Sequence, residues 1–336
     1  MRCYFSPAGN PISTGSIWGG FDTNNAPTRT PPSQLQAQLG ATLRASIKPT
    51  TAQAYQHHWQ SFISFVETHL RATPTIPADI NQICLFLVHL ANTNLSYSTI
   101  RTYLSAISFA HKILNANDPT TAFSISKTLQ GIRNLNPTPI NQRLPITKSI
   151  LHRLLQALPY AVTAQWDKVL WQAVYLLAYH GCLRAGEITL SKNIQNVIQL
   201  SQVISTTQSI QIHFWQYKHS QHHKPVLTIT AQPTGVPCPV SALQQYLLAR
   251  GPTPGQLFIN HDHSPTTIEQ FGANLKTTTT LSSLPPHQYT THSFRIGKAS
   301  DMAAEGQPDQ LIRRAGRWKS SAYMRYLRPD NITLPQ

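Results

Sequence analysis

Residues 308–329 read Pro308-Asp-Gln-Leu-Ile-Arg-Arg-Ala-Gly-Arg-Trp-Lys-Ser-Ser-Ala-Tyr-Met-Arg-Tyr-Leu-Arg-Pro329, and their punctuation sets the end of the chain. Pro308 suits a first helical turn, Gly316 ends that helix, and Ser320 or Ser321 can cap a second helix that Pro329 closes. Six basic residues, Arg313, Arg314, Arg317, Lys319, Arg325 and Arg328, fall in this run from 313 to 328 with no acid among them. Two phenols, Tyr323 and Tyr326, stand in that positive potential, which favours the phenolate and would seat a phosphate. Taken alone, the same residues also describe a solvated basic helix whose tyrosines pack. What stands upstream decides between the two.

Immediately upstream, Thr291-His-Ser-Phe-Arg-Ile-Gly-Lys-Ala-Ser-Asp-Met-Ala-Ala-Glu-Gly306 combines good helix formers with a glycine stop. His292 and Arg295 are three apart, so a helix sets imidazole and guanidinium on one face, where they could hold one phosphate. In Ala178-Tyr-His-Gly-Cys-Leu-Arg-Ala-Gly-Glu-Ile-Thr189 a long helix ends at Gly181 and another begins. Arg184 therefore sits beside a helix N-terminus whose amides favour anions, with Glu187 three residues on. Between these segments the pattern turns to strand: Gln208 to Lys218 alternates around Ile210, Ile212 and Phe214, and Pro225 to Thr230 contains Val-Leu-Thr-Ile. The polar turn His219 to His223 joins them as a hairpin with Lys218 at its tip. Each element has an ordinary reading too: a surface polar pair, an Arg-Glu surface pair, a solvated lysine.

The chain has 336 residues, room for two domains, and a net charge of +15, which attracts a polyanion such as DNA or RNA. Cys3, Cys84, Cys182 and Cys238 lie far apart with no CxxC pair, so neither a disulfide framework nor a zinc ribbon is expected. His213, His219, His222 and His223 lack a Cys or acidic partner at ligand spacing, and no metal or other cofactor is expected. Apolar runs such as Val169 to Ala178 are too short for a membrane span, and with no continuous apolar stretch after Arg2 a secretory signal is not expected. Residues 1–33, rich in Gly, Pro, Ser, Thr and Asn, read as a disordered tail, and 331–336 as a second tail.

From 34 to 135 the pattern is helical. Tyr55, Trp59, Phe62, Phe65 and Val66 form one stripe within Thr51 to Thr68, a core face and not a base-stacking platform, with His57 and His58 on a solvated edge. Asp79 to Leu90, Tyr97 to Leu114 and Ser124 to Asn134 repeat the pattern, with Ser96 or Ser98 as a cap. Arg44, Lys48, Arg101 and Lys112 lie at helix starts and faces, positioned for phosphate contact. Residues 136–147 hold Pro137, Pro139 and Pro145 without periodicity and read as a linker to a second domain at 148–330. There, helices are expected at Lys148 to Leu158, at Thr163 to His180, from about Ala185, and again from Ser241 onward. The fold class is mainly α with a small β-sheet.

Taken in order, Arg184, Lys218, His292, Arg295, Trp318 and Tyr326, in "GCLRAGEIT", "HSFRIGKA" and "GRWKSSAYMRYLR", resemble the signature of the tyrosine recombinase (phage integrase) family, in the eukaryotic style of DIRS-like and Crypton elements. The resemblance spans about 150 residues sharply and the helical N-terminal part loosely, as the core-binding domain that clamps DNA. It implies DNA strand cleavage and rejoining through a 3′ phosphotyrosine, for integration of a mobile element. Tyr326 would be the nucleophile, Arg184, His292, Arg295 and Trp318 would surround the scissile phosphate, Lys218 would be the general acid, and Glu187 a structural partner of Arg184. Arg44, Lys48, Arg101, Arg313, Arg314 and Arg317 would contact DNA. The step from Trp318 to Tyr326 is eight residues where many members have nine, which keeps Tyr323 as the alternative nucleophile; Lys224 is the alternative to Lys218. Double-stranded DNA is the expected partner and a homotetramer on paired sites the expected assembly, in the nucleus if the source is eukaryotic and otherwise in the cytoplasm. A recombinase-derived DNA-binding protein without catalysis, or relaxation of the type IB topoisomerase kind, are the rival expectations.

Overall fold

The computed structural model of the chain describes residues 38–43, 45–136, 143–190, 197–215 and 225–328. The chain divides into two compact units, Met1–Ile140 and Asn141–Gln336. The assigned tails 1–33 and 331–336, Arg44, Lys218, Lys224 and the turn His219 to His223 lie outside the described residues.

The first unit is built from α1 (Pro49–Thr68), α2 (Ile80–Asn92), α3 (Tyr97–Ile113) and α4 (Phe123–Leu135). Each start has a chemical reason. Pro49 occupies the first turn of α1, Asp79 accepts from the Gln82 amide at 2.9 Å to cap α2, and Ser96 accepts from Thr99 at 3.2 Å to cap α3. Trp59, Phe62, Phe65 and Val66 of α1 are buried against Ile83, Phe86 and Leu87 of α2 and Ile100 and Ile107 of α3. Truncating a ring as enclosed as Phe62 would cost about 3–5 kcal/mol. His58 differs from the solvated edge expected of it: its ring stacks on Tyr103 with centroids 3.9 Å apart, because α3 crosses α1 there. His111 is buried, accepting from the Ala78 amide through Nε2 at 2.9 Å while Nδ1 lies 2.7 Å from the Ile107 carbonyl.

In the second unit α5 (Lys148–Ala161), α6 (Gln165–His180), α8 (Pro239–Arg250), α9 (Ile268–Leu281) and α10 (Ser293–Ala304) surround one core. α6 lies at its centre, against α5, α8 and α10, and Ala173 to Tyr179 is buried without a break. Short α7 (Ala185–Ile188) follows α6, and α11 (Asp309–Gly316) follows α10. The sheet has three antiparallel strands in the order β1 (Val203–Ser205), β2 (Ser209–His213), β3 (Val226–Thr230). β2 and β3 pair from Ser209↔Thr230 to His213↔Val226, and alternation turns Ile210, Ile212 and Ile229 into the core. β1 adds a third strand to the expected hairpin; at three residues it is too short to show a period. Among the described residues no helix is long and apolar enough to cross a membrane.

The chain end differs from expectation in one respect. After α11 comes not a second α-helix but a 3₁₀ helix, Ser321–Tyr326, capped by Ser320. The tighter three-residue turn eclipses positions three apart, so Tyr323 and Tyr326 line up along one edge toward Trp318, with ring centroids 6.2 and 5.1 Å from it.

Candidate active site

Arg184 is placed by the turn that ends α6. Gly181 closes that helix, donating to the Leu177 carbonyl at 2.9 Å, and Cys182 adopts a left-handed backbone, φ 45°. Leu183 stays in the core, and half-buried Arg184 becomes the N-terminal flank of α7. Glu187 folds back on it: one carboxylate oxygen accepts from the Arg184 amide at 2.9 Å and the other from its guanidinium at 2.8 Å. Arg317 reaches the same carboxylate at 2.7 Å. Burial pushes the Glu187 pKa up, but Arg317 first and Arg184 second outweigh it and hold the group ionised.

His292 and Arg295 come from the start of α10. Gly297 permits that helix to lie directly on the backbone of residue 146, since an added Cβ would fall 1.7 Å from the Ile146 carbonyl oxygen. His292 flanks the helix N-terminus and Arg295 points inward, completely buried. The Arg295 guanidinium donates to two backbone carbonyls, Cys182 and Gly316, and lies 4.2 Å above the Trp318 ring. It thereby joins the α6–α7 turn to the end of α11.

That end is a Schellman closure: the Arg317 amide donates to Arg314 at 3.1 Å and the Trp318 amide to Arg313 at 2.9 Å. Gly316 has no room for a side chain, because a Cβ would sit 1.8 Å from the Trp318 indole folded over it. Trp318 in turn packs on Tyr326, whose ring also meets His292 at 5.0 Å between centroids. Arg295 lies 5.7 Å from the same phenol ring.

Arg184, His292, Arg295, Trp318 and Tyr326 are therefore positioned around one corner of the second unit, with His292, Arg295 and Trp318 touching Tyr326 directly. Burial, then the charges of Arg295, Arg143 and Arg184, push the His292 pKa down to about 4, so the imidazole is neutral at pH 7. Arg295 Nε and Trp318 Nε1 in this cluster are buried with no hydrogen-bond partner among the described residues. Tyr323 is different in kind. Its ring is 2% exposed, packed with Ala299 and Ile312, and the Asp309 carboxylate beside its hydroxyl is the foremost cause raising its pKa.

Of the residues expected to contact DNA, Lys48, Arg101, Arg313 and Arg314 are exposed. Arg317 is not on that surface: its side chain is 7% exposed and turned into the site. By charge alone Arg317 belongs with its basic neighbours, and the nine-residue step to Tyr326 is the signal in the sequence that sets it apart.

A helical domain with a small antiparallel sheet, and a phenol facing a histidine and buried arginine at one corner, defines the class of an integrase-type catalytic domain. The profile of the phage integrase family matches residues 145–331, more than half of the chain, and the chain belongs to that family of tyrosine recombinases. No curated protein sequence matches. Among solved structures, the Tn1549 transposon integrase in complex with transposon right end DNA is 15% identical, with TM-score 0.60, over 90% of this chain and 95% of that one. The XerH site-specific recombinase bound to a palindromic difH substrate is 12% identical, with TM-score 0.61, over 87% and 80%. A lambda integrase dimer bound to a COC′ core site is 14% identical, with TM-score 0.55, over 92% and 80%. At these identities the likeness is one of fold.

Proposed function

We propose that the protein is a site-specific DNA recombinase that integrates a mobile element, with Tyr326 as its nucleophile. The phenolic oxygen attacks a scissile phosphate, a new O–P bond forms, the bond from phosphorus to the 5′ oxygen breaks, and a 3′ phosphotyrosine results. Rejoining reverses these steps with another strand's 5′ hydroxyl. The linkage keeps the phosphoester energy, so no ATP enters.

Arg184, Arg295, His292 and Trp318 surround the phosphate and stabilise the negative charge that accumulates as the phenol adds. Neutral His292, against the Tyr326 ring, can take up the phenolic proton. Lys218, or Lys224 in its place, protonates the departing 5′ oxygen. The observation that carries the reading is the pair of buried, unpartnered donors, Arg295 Nε and Trp318 Nε1, on the two side chains that flank Tyr326. Buried donors without acceptors are costly, about 1–3 kcal/mol each, and a phosphate oxygen supplies what they lack. The burial of Tyr323 beside Asp309 favours Tyr326 over it.

Double-stranded DNA is the substrate, held also through Lys48, just before α1, and Arg101 of α3 in a first domain at 34–135 and through Arg313 and Arg314 in a second at 148–330. Four copies on two paired sites complete two rounds of exchange. Nicked duplex suicide substrates built from the DNA flanking the gene test this. Wild-type protein should accumulate a covalent adduct that survives denaturing gels; binding without any adduct would leave a DNA-binding protein that does no chemistry.

A further inference from the structure

Glu187 presents a difficulty for a phosphate site. A buried carboxylate beside Arg184 repels the very anion that Arg184 is placed to hold. The chain could have used a neutral side chain there, and the observed arrangement shows what makes the acid tolerable. Glu187 receives a second guanidinium from Arg317 at 2.7 Å, 130 residues later in the chain. That contact has a built setting. Arg317 also donates to the Gly181 carbonyl at 3.2 Å, and its guanidinium lies 4.7 Å from the Phe214 ring just beyond β2.

The backbone shows the same investment. Arg317 occupies the left-handed closing position of α11, φ 55° and ψ 42°, where glycine is the ordinary choice. A residue with a Cβ is strained there, and the strain is accepted at a position whose side chain reaches the site.

We propose that Arg317 is a positioning residue for Arg184, acting through Glu187 as the second cation on that carboxylate. Glu187 then orients the Arg184 amide and guanidinium without presenting net negative charge to the phosphate. Arg184, Arg295 and Arg317 set against Glu187 leave a surplus of two positive charges, and Arg143 is a further cation near His292. A phosphodiester with one negative charge that gains about one more in the transition state therefore meets a site that stays net positive. The inference rests on the recombinase reading of this site and adds a residue to it.

The test is single-turnover cleavage of the suicide substrate by Arg317→Met, Glu187→Gln, the double variant and Arg317→Lys, with DNA affinity and thermal unfolding recorded for each. Arg317→Met should lose about 100-fold in cleavage rate, the scale of one electrostatic contact in such a site. Its DNA affinity should stay within about threefold, because Arg317 faces Glu187 and not the DNA surface. The double variant should cleave about tenfold faster than Arg317→Met, because the uncompensated acid is gone. Arg317→Lys should keep more activity than Arg317→Met. The Arg317→Met defect should also shrink as pH falls from 8 to 5.5, since Glu187 without its principal counter-ion takes up a proton more readily.

Absence of rescue in the double variant, or a loss that follows DNA affinity or melting temperature, overturns the inference and makes Arg317 a direct phosphate ligand or a packing residue. Arg317→Met cleaving like wild type overturns it as well. If wild type itself forms no adduct, the recombinase reading fails and this one with it.

Discussion

His292 is the residue whose state most constrains the chemistry. Half-buried among Arg295, Arg143 and Arg184, it is held neutral, with its pKa pushed down to about 4. In the free protein its imidazole should titrate near pH 4 by NMR, not near the ordinary 6.5, and a bound oligonucleotide should move that value upward by neutralising the arginines around it. An ordinary value in the free protein would contradict the placement of those cations. At this scale the sequence was informative about residue types and order, and poor about direction. Arg184, His292, Arg295 and Tyr326 could be picked out because imidazole, guanidinium and phenol in that order have a joint use, and Trp318 through the family resemblance alone. Arg317 could not, because its inward turn depends on a left-handed backbone at a non-glycine residue and on an acid 130 positions away. The eight-residue step from Trp318 also takes on a physical sense: two successive residues serve the site, Arg317 through Glu187 and Trp318 over Arg295.

At the scale of elements, contact distance decides which glycines are fixed. Gly316→Ala would drive a methyl into the Trp318 indole and Gly297→Ala into the Ile146 carbonyl, so each should destabilise by about 1–3 kcal/mol in denaturant unfolding and impair cleavage. Gly272 lies within α9 with nothing near its added Cβ, and Gly272→Ala should instead stabilise by about 0.5–1 kcal/mol. The helices were legible because long apolar stripes and caps such as Asp79 and Ser96 announce themselves. The three residues of β1 were not, since pairing with β2 makes that strand and its own pattern does not. The 3₁₀ turn at Ser321–Tyr326 was equally hidden, because stacking of Tyr323 and Tyr326 toward Trp318 overrides a composition that reads as ordinary helix.

For the whole molecule, charge and buried histidines set the response to solution conditions. With a net charge of +15, DNA affinity should fall steeply with salt, by about 10³-fold or more between 50 and 200 mM if six or more phosphates are engaged. A flat salt profile in filter binding would exclude extensive phosphate contact. His111, His180 and His292 all have pKa values lowered by burial, the latter two to about 4. In the unfolded chain they take up protons near pH 6.5, which the folded chain resists until lower pH. Their contribution to stability is therefore present above pH 6.5 and lost as pH falls toward 4. Asp301, raised by burial, acts in the opposite sense, but His58, lowered by burial, and Glu187 and Asp118, held down by their ion pairs and hydrogen bonds, act with the three histidines. Melting temperature should be level from pH 8 to 7 and decline from pH 6.5 to 4.5.

The covalent chemistry is decided by where the DNA becomes attached. Protein trapped on a nicked suicide substrate, digested with protease and nuclease, should yield a mass-spectrometric phosphotyrosine on the peptide bearing Tyr326, and Tyr326→Phe should yield none. Attachment at Tyr323, or an adduct that persists in Tyr326→Phe, would contradict the assignment of the nucleophile and with it the geometry on which the mechanism is built.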